Sequence, residues 1–154
     1  MKRLFYLLAA AAFTACGSAT TLSVMTFNMR YDNPEDGADN WRFRRGRVAE
    51  VIASHGVDVF GTQELLANQL GDLKRLLPGY AAVGVGREDG AEAGEFSAVF
   101  YRRDRFTPLE SGTFWLSETP DVAGSKGWDG ACERVATWVV LHDREGGREF
   151  LFVN

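Results

Sequence analysis

The sequence predicts a layered α/β fold that opens strand, helix, strand, helix and continues as a run of strands. Residues 22–30 alternate with apolar side chains on both faces, which is typical of a strand buried between layers. Val48, Ile52 and His55 then recur at helical spacing, and residues 57–64 form a second short apolar strand. Because the hydrophobic period switches from that of a strand to that of a helix and back, we expect helices packed against a sheet.

The remaining elements follow from leucine spacing and turn residues. Residues 32–40 are polar and contain Pro34 and Gly37, which predicts a loop. A second helix is expected to end at Pro78, and it is marked by Leu66, Leu70, Leu73, Leu76 and Leu77. Further strands, the last two paired as a hairpin, are expected over residues 80–86, 96–101, 112–116, 134–141 and 149–154.

The composition is that of one acidic globular domain. Apolar residues make up 45% and charged residues 25% of the 154 positions, and the formal net charge is -4. If Lys2 and Arg3 are removed with a signal segment, -4 minus 2 leaves -6. Such a chain repels the DNA backbone at long range, so duplex DNA is disfavoured as a substrate.

The first residues predict export. Lys2 and Arg3 precede an apolar core over residues 4–13, which is too short to span a bilayer as a helix. Residues 1–20 are therefore expected to be a signal segment with a short linker, and residues 21–154 to be the domain.

Two routes of export remain open, and they differ in whether Cys16 is lipidated. Residues 14–17 resemble a bacterial lipobox, so that a lipidated Cys16 would hold the protein at the outer membrane or the cell surface. Plain secretion into the periplasm or the medium, with cleavage after Ala19, is the alternative. In the lipidated form Cys132 has no disulfide partner, and we expect it to be a small buried apolar residue.

Polar side chains end two neighbouring strands of the predicted sheet. Asn28 and Arg30 close the first strand, and Gln63 and Glu64 close the second. Ligands gather at the carboxyl ends of parallel strands, and carboxylate and amide oxygens suit Mg²⁺ or Mn²⁺. From the residues alone, the alternative remains that Asn28 closes a turn and Glu64 caps the following helix.

Ordered motifs along the chain resemble the endonuclease/exonuclease/phosphatase superfamily. Residues 26–30, Thr-Phe-Asn-Met-Arg, and residues 61–64, Gly-Thr-Gln-Glu, are similar to its opening motifs. The chain also resembles the exported bacterial members of that superfamily at residues 30–34, 94–97, 114–120 and 127–129. The resemblance implies the N-terminal half of a layered α/β sandwich of the deoxyribonuclease-like type. Because the chain stops at Asn154 inside a strand-like run, the C-terminal half is expected to be missing.

The resemblance implies roles for four residues. Glu64 would be the principal ligand of Mg²⁺ (or Mn²⁺), and Asn28 would orient the metal or a phosphate oxygen. Arg134 matches an arginine that contacts the phosphate, for which a planar guanidinium is suited. Glu95 matches a carboxylate beside the catalytic histidine. The alternatives are an Arg134 paired with a carboxylate and a solvated Glu95.

Neither histidine of the chain is placed like the general base of that superfamily. His55 ends a helix and His142 lies at a hairpin turn. The resemblance implies that an Asn-Thr-His motif begins at Asn154, so that the base and further metal ligands would lie beyond this chain. We therefore expect little or no activity from the chain as given.

Three other groups of residues have structural alternatives. Two roles remain open for four residues in or beside the long loop, namely lining a substrate pocket or anchoring the loop. These residues are Trp115, Glu118, Trp128 and Asp129. The acidic residues of segment 32–40 lack the EF-hand pattern and are expected to be a solvated loop. The arginines of segment 42–47 lack interleaved aromatics, so a solvated helix start is favoured over a nucleic-acid contact.

By resemblance, the function is metal-dependent hydrolysis of a phosphoester, either by a phosphodiesterase or by a phosphatase, without a covalent enzyme intermediate. The alternative class is a non-catalytic lipoprotein that binds a phosphate-bearing or glycan ligand through Arg134 and the tryptophan loop. A third possibility is a gene fragment with no function of its own. The residues predict neither the particular substrate nor the oligomeric state.

Overall fold

The computed structural model describes residues 20–154 as three layers: two helices, a four-stranded sheet and a three-stranded sheet. The elements are β1 (Val24–Asn28), a 3-10 helix (Pro34–Asp39), α1 (Trp41–Ser54), β2 (Val59–Gln63), α2 (Ala67–Leu76), β3 (Tyr80–Val83), β4 (Val99–Arg102), β5 (Phe106–Trp115), β6 (Val135–Asp143) and β7 (Arg148–Val153). The predicted signal segment and Cys16 lie outside the described residues. No helix within residues 20–154 is long and apolar enough to cross a bilayer.

The first sheet has the strand order β1-β2-β4-β3 and contains the parallel pair that the sequence predicted. β1 and β2 run parallel with Asn28 opposite Gln63, while β4 runs antiparallel to both β2 and β3. Parallel pairing brings the carboxyl ends of β1 and β2 to the same edge of the sheet. Asn28 and Glu64, which directly follows β2, therefore lie side by side at that edge.

The prediction that β1 is buried between two layers is wrong. β1 is an edge strand of its sheet, and Val24 is 53% exposed. Met25 and Phe27 pack against the helix-side core, whereas the alternate residues Val24, Thr26 and Asn28 face away from it and are exposed. The second sheet lies over β3 and β4 instead, so one face of β1 stays open within the described residues.

Helices α1 and α2 cover one face of the first sheet. Trp41, Val48 and Ile52 of α1 are buried in one core with Phe60 of β2. The ring of Phe60 stacks on that of Phe100 in β4, with centroids 4.7 Å apart. This packing fixes α1 against the strands that carry the polar edge.

The predicted second helix is confirmed as α2, although Leu76 is 44% exposed. His55 ends the first helix as expected, but its grouping with the apolar residues of that helix is wrong. His55 is not on an apolar face: it is the exposed C-terminal cap of α1, and its Nδ1 lies 2.8 Å from the Val51 carbonyl oxygen. The start of α1 is capped by the Asn40 side chain, which accepts a hydrogen bond from the Arg42 amide at 3.2 Å.

The second sheet, with the order β5-β6-β7, packs on the other face of the first sheet and is antiparallel throughout. Val59 and Val99 meet Val139 and Leu141 in the core between the sheets. The predicted hairpin is confirmed as β6 and β7. Strand β5, however, begins at Phe106, well before the expected start, because its polar first half is an edge strand. Such a strand tolerates a proline and an irregular register, and its register shifts between Pro108 and Glu110.

Asn154 connects the two sheets through a polar side chain. Its backbone pairs with Thr137 of β6, while its Nδ2 donates to the carbonyl oxygens of Thr62 at 2.8 Å and Ala98 at 3.2 Å. Its Oδ1 accepts a hydrogen bond from Gln63 Nε2 at 2.6 Å. Gly61 leaves the room for this contact, since a Cβ there would lie 2.5 Å from Asn154 Oδ1.

A buried ion pair network joins the sheets at the opposite end. Arg105, whose side chain is only 4% exposed, donates two hydrogen bonds to Asp143 at 3.0 and 2.8 Å and one to Asp58 at 2.8 Å. The hydrogen bonds from Arg105 lower the pKa of Asp143 from 3.8 to about 2. The fork of Arg105 thus holds the starts of β2 and β5 to the end of β6.

The acidic segment that was expected to be a solvated loop is instead folded and hydrogen-bonded. It contains the 3-10 helix, which is interrupted at Gly37. Asp36 accepts two hydrogen bonds from Arg30, and Asp32 accepts one from the Asn68 side chain at 2.8 Å. Within residues 20–154 no three His, Cys, Asp or Glu side chains are grouped so that they could hold a metal ion.

The arginines at the start of α1 are likewise partly structural rather than solvated. Arg44 is half-buried and donates to the carbonyl oxygens of Met29 at 2.5 Å and Arg30 at 2.6 Å. Arg45 pairs with the buried Asp72 at 3.1 Å. The Arg44 contacts support the backbone that follows β1, next to the candidate site, whereas the Arg45 pair joins α1 to α2.

Candidate functional site

Asn28 and Glu64 form a hydrogen-bonded pair at the carboxyl ends of β1 and β2. Asn28 Nδ2 donates to Glu64 Oε1 at 3.0 Å, and Asn28 Oδ1 accepts from the Arg30 amide at 2.8 Å. Glu64 and Arg30 have φ values of 56° and 53°, in the left-handed region that residues other than glycine rarely adopt. Such backbone persists only where the surrounding contacts hold it, and it is concentrated at functional sites.

An antiparallel bridge places Glu95 beside this pair. The Phe96 amide donates to the Leu65 carbonyl at 2.7 Å, and the Leu65 amide donates back at 3.4 Å. The bridge lays the segment that carries Glu64 beside the segment that carries Glu95, although the two are far apart in the sequence. Glu95 pairs with Arg87, with 2.8 Å between Oε2 and Nη1, and its side chain is 24% exposed. The alternative of a solvated loop charge is therefore wrong.

Arg134 reaches the same place from the second sheet. It directly precedes β6, and its carbonyl accepts a hydrogen bond from the Leu116 amide at 2.8 Å. Within residues 20–154 its guanidinium has no hydrogen bond or ion pair. The alternative, in which Arg134 pairs with a carboxylate, is therefore wrong for this part of the chain. Its donors are open to a ligand.

The four residues singled out from the sequence line one pocket of about 280 Å³ between the two sheets. Its wall consists of Asn28, Gln63, Glu64, Arg87, Glu95, Phe96, Ser97, Arg134 and Val135. Two carboxylates and two guanidinium groups at the strand ends define a pocket suited to a cation and a phosphate group. The roles of the individual residues remain predictions.

The pocket contains carboxylate and amide oxygens of the kind that divalent cations prefer. Both Glu64 oxygens face backbone or amide donors, since Oε1 accepts from Asn28 and Oε2 from the Tyr31 amide at 3.4 Å. Asn28 Oδ1 retains one lone pair beyond its bond to Arg30, so an amide and a carboxylate oxygen can both face a cation. One carboxylate, one amide and waters suit Mg²⁺, which uses one or two carboxylates together with substrate oxygens. The donor set therefore fits a divalent ion without completing its coordination.

A buried glutamine that the sequence analysis missed holds the backbone behind the site. Gln69 of α2 is fully buried; its Oε1 accepts from the amides of Leu66 at 3.0 Å and Asp32 at 3.2 Å. Its Nε2 donates to the Arg30 carbonyl at 3.0 Å. The signal was present, because a Gln three residues after the helix cap is typical of a capping box.

Arg87 is the other residue that was missed, and its position depends on the loop between β3 and β4. Its amide donates to the Glu95 carbonyl at 3.2 Å, and its carbonyl accepts from Trp115 Nε1 at 2.6 Å. Asp89 fixes the tip by accepting from the Ala91 and Ala93 amides, which lower the pKa of its carboxyl group. A charged pair separated by a short Gly- and Asp-rich loop could have suggested this arrangement.

The two tryptophans at the long loop between β5 and β6 differ in burial: one is buried and one is exposed. Trp115 is 5% exposed and anchors the Arg87 loop, whereas Trp128 is 71% exposed and has a φ of 52°. Glu118 accepts a hydrogen bond from the Trp128 amide at 3.3 Å, and Asp129 is exposed; none of the four residues lines the pocket. Cys132 is a free thiol and half-buried, not fully buried as predicted.

Neither histidine lines the pocket, as expected. His55 caps α1, and His142 in β6 faces Glu149 across the hairpin at 3.8 Å.

The comparisons with known proteins agree with the fold. The sequence model of the endonuclease/exonuclease/phosphatase family matches residues 25–151. The chain therefore belongs to the endonuclease/exonuclease/phosphatase family. Members of this family are hydrolases and phosphatases that generally use divalent metal ions. No curated protein matches the chain.

Solved structures define how much of that fold this chain spans. The endonuclease/exonuclease/phosphatase from Bacteroides vulgatus is 48% identical with a TM-score of 0.87, over 88% of this chain and 52% of that one. The mannosyl-6-phosphatase from Bacteroides thetaiotaomicron is 48% identical with a TM-score of 0.84, over 87% of this chain and 51% of that one. The catalytic domain of human Nocturnin, at 20% identity and a TM-score of 0.65 over 86% of this chain and 48% of that one, shares the fold. The chain spans about half the length of the structures it matches.

Proposed function

We propose that this chain carries the phosphate- and metal-binding half of a divalent-metal-dependent phosphoester hydrolase. The observation that supports the proposal is that Glu64 and Arg134, which lie on different sheets and far apart in the sequence, line one pocket. A carboxylate opposite an unpaired guanidinium matches a phosphoester whose charge is shared between a metal ion and an arginine.

Each residue has a distinct task in this proposal. Glu64 binds Mg²⁺ or Mn²⁺, and Asn28 fixes the carboxylate through its 3.0 Å hydrogen bond. Arg134 donates to the phosphate oxygens, and Glu95 shapes the wall through its pair with Arg87. When bound, the divalent ion supplies the positive charge that polarises a phosphoryl oxygen. The imidazole that would activate water is not part of the pocket within the described residues, so we expect these residues to bind ligands with little or no turnover.

The substrate class follows from a relative and from charge. A relative of 48% identity is called a mannosyl-6-phosphatase, which makes a phosphorylated sugar the first substrate to test. The net charge of -4 disfavours duplex DNA, because a polyanion is repelled at long range.

Metal-dependent phosphate binding tests the proposal. Inorganic phosphate is titrated calorimetrically into the 154-residue chain with and without Mg²⁺, and phosphate release from mannose 6-phosphate is followed in parallel. We expect Mg²⁺ to strengthen phosphate binding by about 10-fold or more, and Glu64→Ala to abolish that gain, because a charge-assisted contact contributes roughly 1.5–3 kcal/mol. Glu92→Ala, which removes an exposed carboxylate outside the pocket wall, is the matched control. An unchanged response of Glu64→Ala to Mg²⁺ would overturn the proposal.

The second candidate is a ligand-binding protein without turnover. It is favoured by the open guanidinium of Arg134 and by the incomplete donor set for a metal within residues 20–154. Phosphate binding that is insensitive to Mg²⁺ and to Glu64→Ala, but lost in Arg134→Met, would select this candidate.

We propose further that the protein is exported and that Cys16 carries a lipid at the outer membrane or cell surface. Residues 14–17 support this assignment, although they lie outside the described residues. Labelling of expressing cells with radioactive palmitate should mark the wild type and not Cys16→Ser. Label in neither protein would leave plain secretion as the route, and label in both would place the lipid on a residue other than Cys16.

A further inference from the structure

We infer that Arg87 is a specificity-determining residue that makes the pocket prefer dianionic phosphate monoesters to monoanionic diesters. The inference rests on the proposed function and extends it to the substrate class. Arg87 lines the same pocket as Glu64 and Arg134, and its side chain is 15% exposed.

The contacts of Arg87 leave part of its guanidinium available. Nη1 donates to Glu95 Oε2 at 2.8 Å, which fixes the plane of the group. Nε is the one buried side-chain nitrogen or oxygen within residues 20–154 that has no hydrogen-bond partner. Nη2 also has no partner among these residues, and it is not buried. A guanidinium has five N–H donors, and because Nε is buried, the donors of Nη2 are the ones open to a ligand.

The backbone of Arg87 is fixed independently of its side chain. Its amide and carbonyl are held by Glu95 and Trp115. The loop tip is closed by hydrogen bonds to Asp89. A guanidinium held by a fixed backbone and one carboxylate loses little freedom when it binds an oxyanion, which favours tight and oriented binding.

The charge of the pocket distinguishes monoesters from diesters. Its ionisable wall residues are two glutamates and two arginines, so their formal charges cancel. A divalent cation on Glu64 brings the pocket to a net charge of two, which a monoester dianion neutralises and a diester monoanion does not. Removal of the Arg87 charge lowers the net positive charge of the metal-loaded pocket from two to one, which a diester monoanion neutralises.

Two small esters test this inference without requiring turnover. Methyl phosphate and dimethyl phosphate are titrated into the full chain with saturating Mg²⁺ at about pH 8, where a monoester is a dianion because its second pKa is about 6. We expect the wild type to prefer methyl phosphate by about 10-fold or more. Arg87→Met should weaken methyl phosphate binding by about 10-fold and dimethyl phosphate binding by less than about 2-fold. Arg87→Lys, which keeps the charge and loses the fork, should fall between them.

Three comparisons separate the possible failures. Arg47→Met removes an exposed arginine of α1 outside the pocket and should change neither affinity. Arg134→Met should weaken both esters, because its contact does not depend on the second ester group. If Arg87→Met weakens both esters equally or neither, while Arg134→Met behaves as expected, the role of Arg87 is refuted and the proposed function stands. If the wild type binds neither ester, the proposed function and this inference fail together. Thermal melting of Arg87→Met and Arg87→Lys shows whether a loss of affinity arises from unfolding.

Discussion

The substitution Asp143→Asn should destabilise the protein strongly, because it removes half of the charge that compensates the buried Arg105. Arg105 and Asp143 are 4% and 9% exposed at their side chains, and they share two hydrogen bonds at 3.0 and 2.8 Å. An asparagine can accept only one of these and points an amide N–H at the other guanidinium donor. Breaking a buried pair from one side costs about 3–5 kcal/mol of unfolding free energy.

The pH dependence gives a second estimate with a defined sign. The pKa of Asp143 is about 2 in the folded chain, below its ordinary value of 3.8. A lowered folded-state pKa means that the charged carboxylate contributes stability fully above pH 3.8, and that this contribution is lost as the pH falls from 3.8 through 2. At about 1.4 kcal/mol per pKa unit, the contribution is about 2 kcal/mol. This is less than the cost of the substitution, because protonation leaves both oxygens in place.

Urea denaturation and thermal denaturation, both followed by circular dichroism, measure these effects. At pH 7 we expect Asp143→Asn to lose about 3 kcal/mol and to melt about 10 °C lower than the wild type. Between pH 5 and pH 2 the variant should lose less stability than the wild type, because it no longer has this carboxylate to protonate. Asp104→Asn, which affects the exposed pair with Arg102, is the matched control and should leave the melting temperature almost unchanged. Equal stability of Asp143→Asn and the wild type at pH 7, with the same acid response, would refute the reasoning.

Three further substitutions test the packing, each by its urea midpoint. Gly61→Ala should destabilise the chain by about 3 kcal/mol, because the new Cβ would lie 2.5 Å from Asn154 Oδ1; no change would mean that Asn154 does not hold the sheets together. Gly46→Ala in α1 should instead stabilise it by about 1 kcal/mol, since the added Cβ meets open space; a loss would contradict that geometry. Trp41→Phe removes a 2.8 Å hydrogen bond to Asp72 and should cost about 2 kcal/mol, and a cost near zero would show that this bond contributes little.

The sequence predicted those parts of the molecule whose signals are local. The parallel pair β1 and β2, with Asn28 and Glu64 at its end, could be read from periodicity and from polar residues at strand ends. The motif at residues 61–64 also located Glu64, whose backbone the structure places in the left-handed region. Arg134 was found from its motif, and the structure adds that its guanidinium faces a pocket.

The features that could not be predicted depend on contacts between distant segments. Glu95 looked like a loop charge because both of its neighbours are brought to it by folding. A loop sets its partner Arg87 beside it, and the Leu65–Phe96 bridge brings its segment next to the one that carries Glu64. The first half of β5 was missed because its alternation is polar and interrupted by Pro108. The exposure of Val24 could not be foreseen, since it reflects which strands the second sheet covers.

The side chain of Gln63 lies on the pocket wall and at the same time donates to Asn154. One residue thus belongs both to the pocket wall and to the contact that keeps the two sheets in register. A substitution of Gln63 that reshapes this wall would also remove a hydrogen bond that attaches the hairpin. A change of specificity is therefore more accessible through Arg87 and its loop. The side chain of Arg87 can vary without weakening the contact between the two sheets.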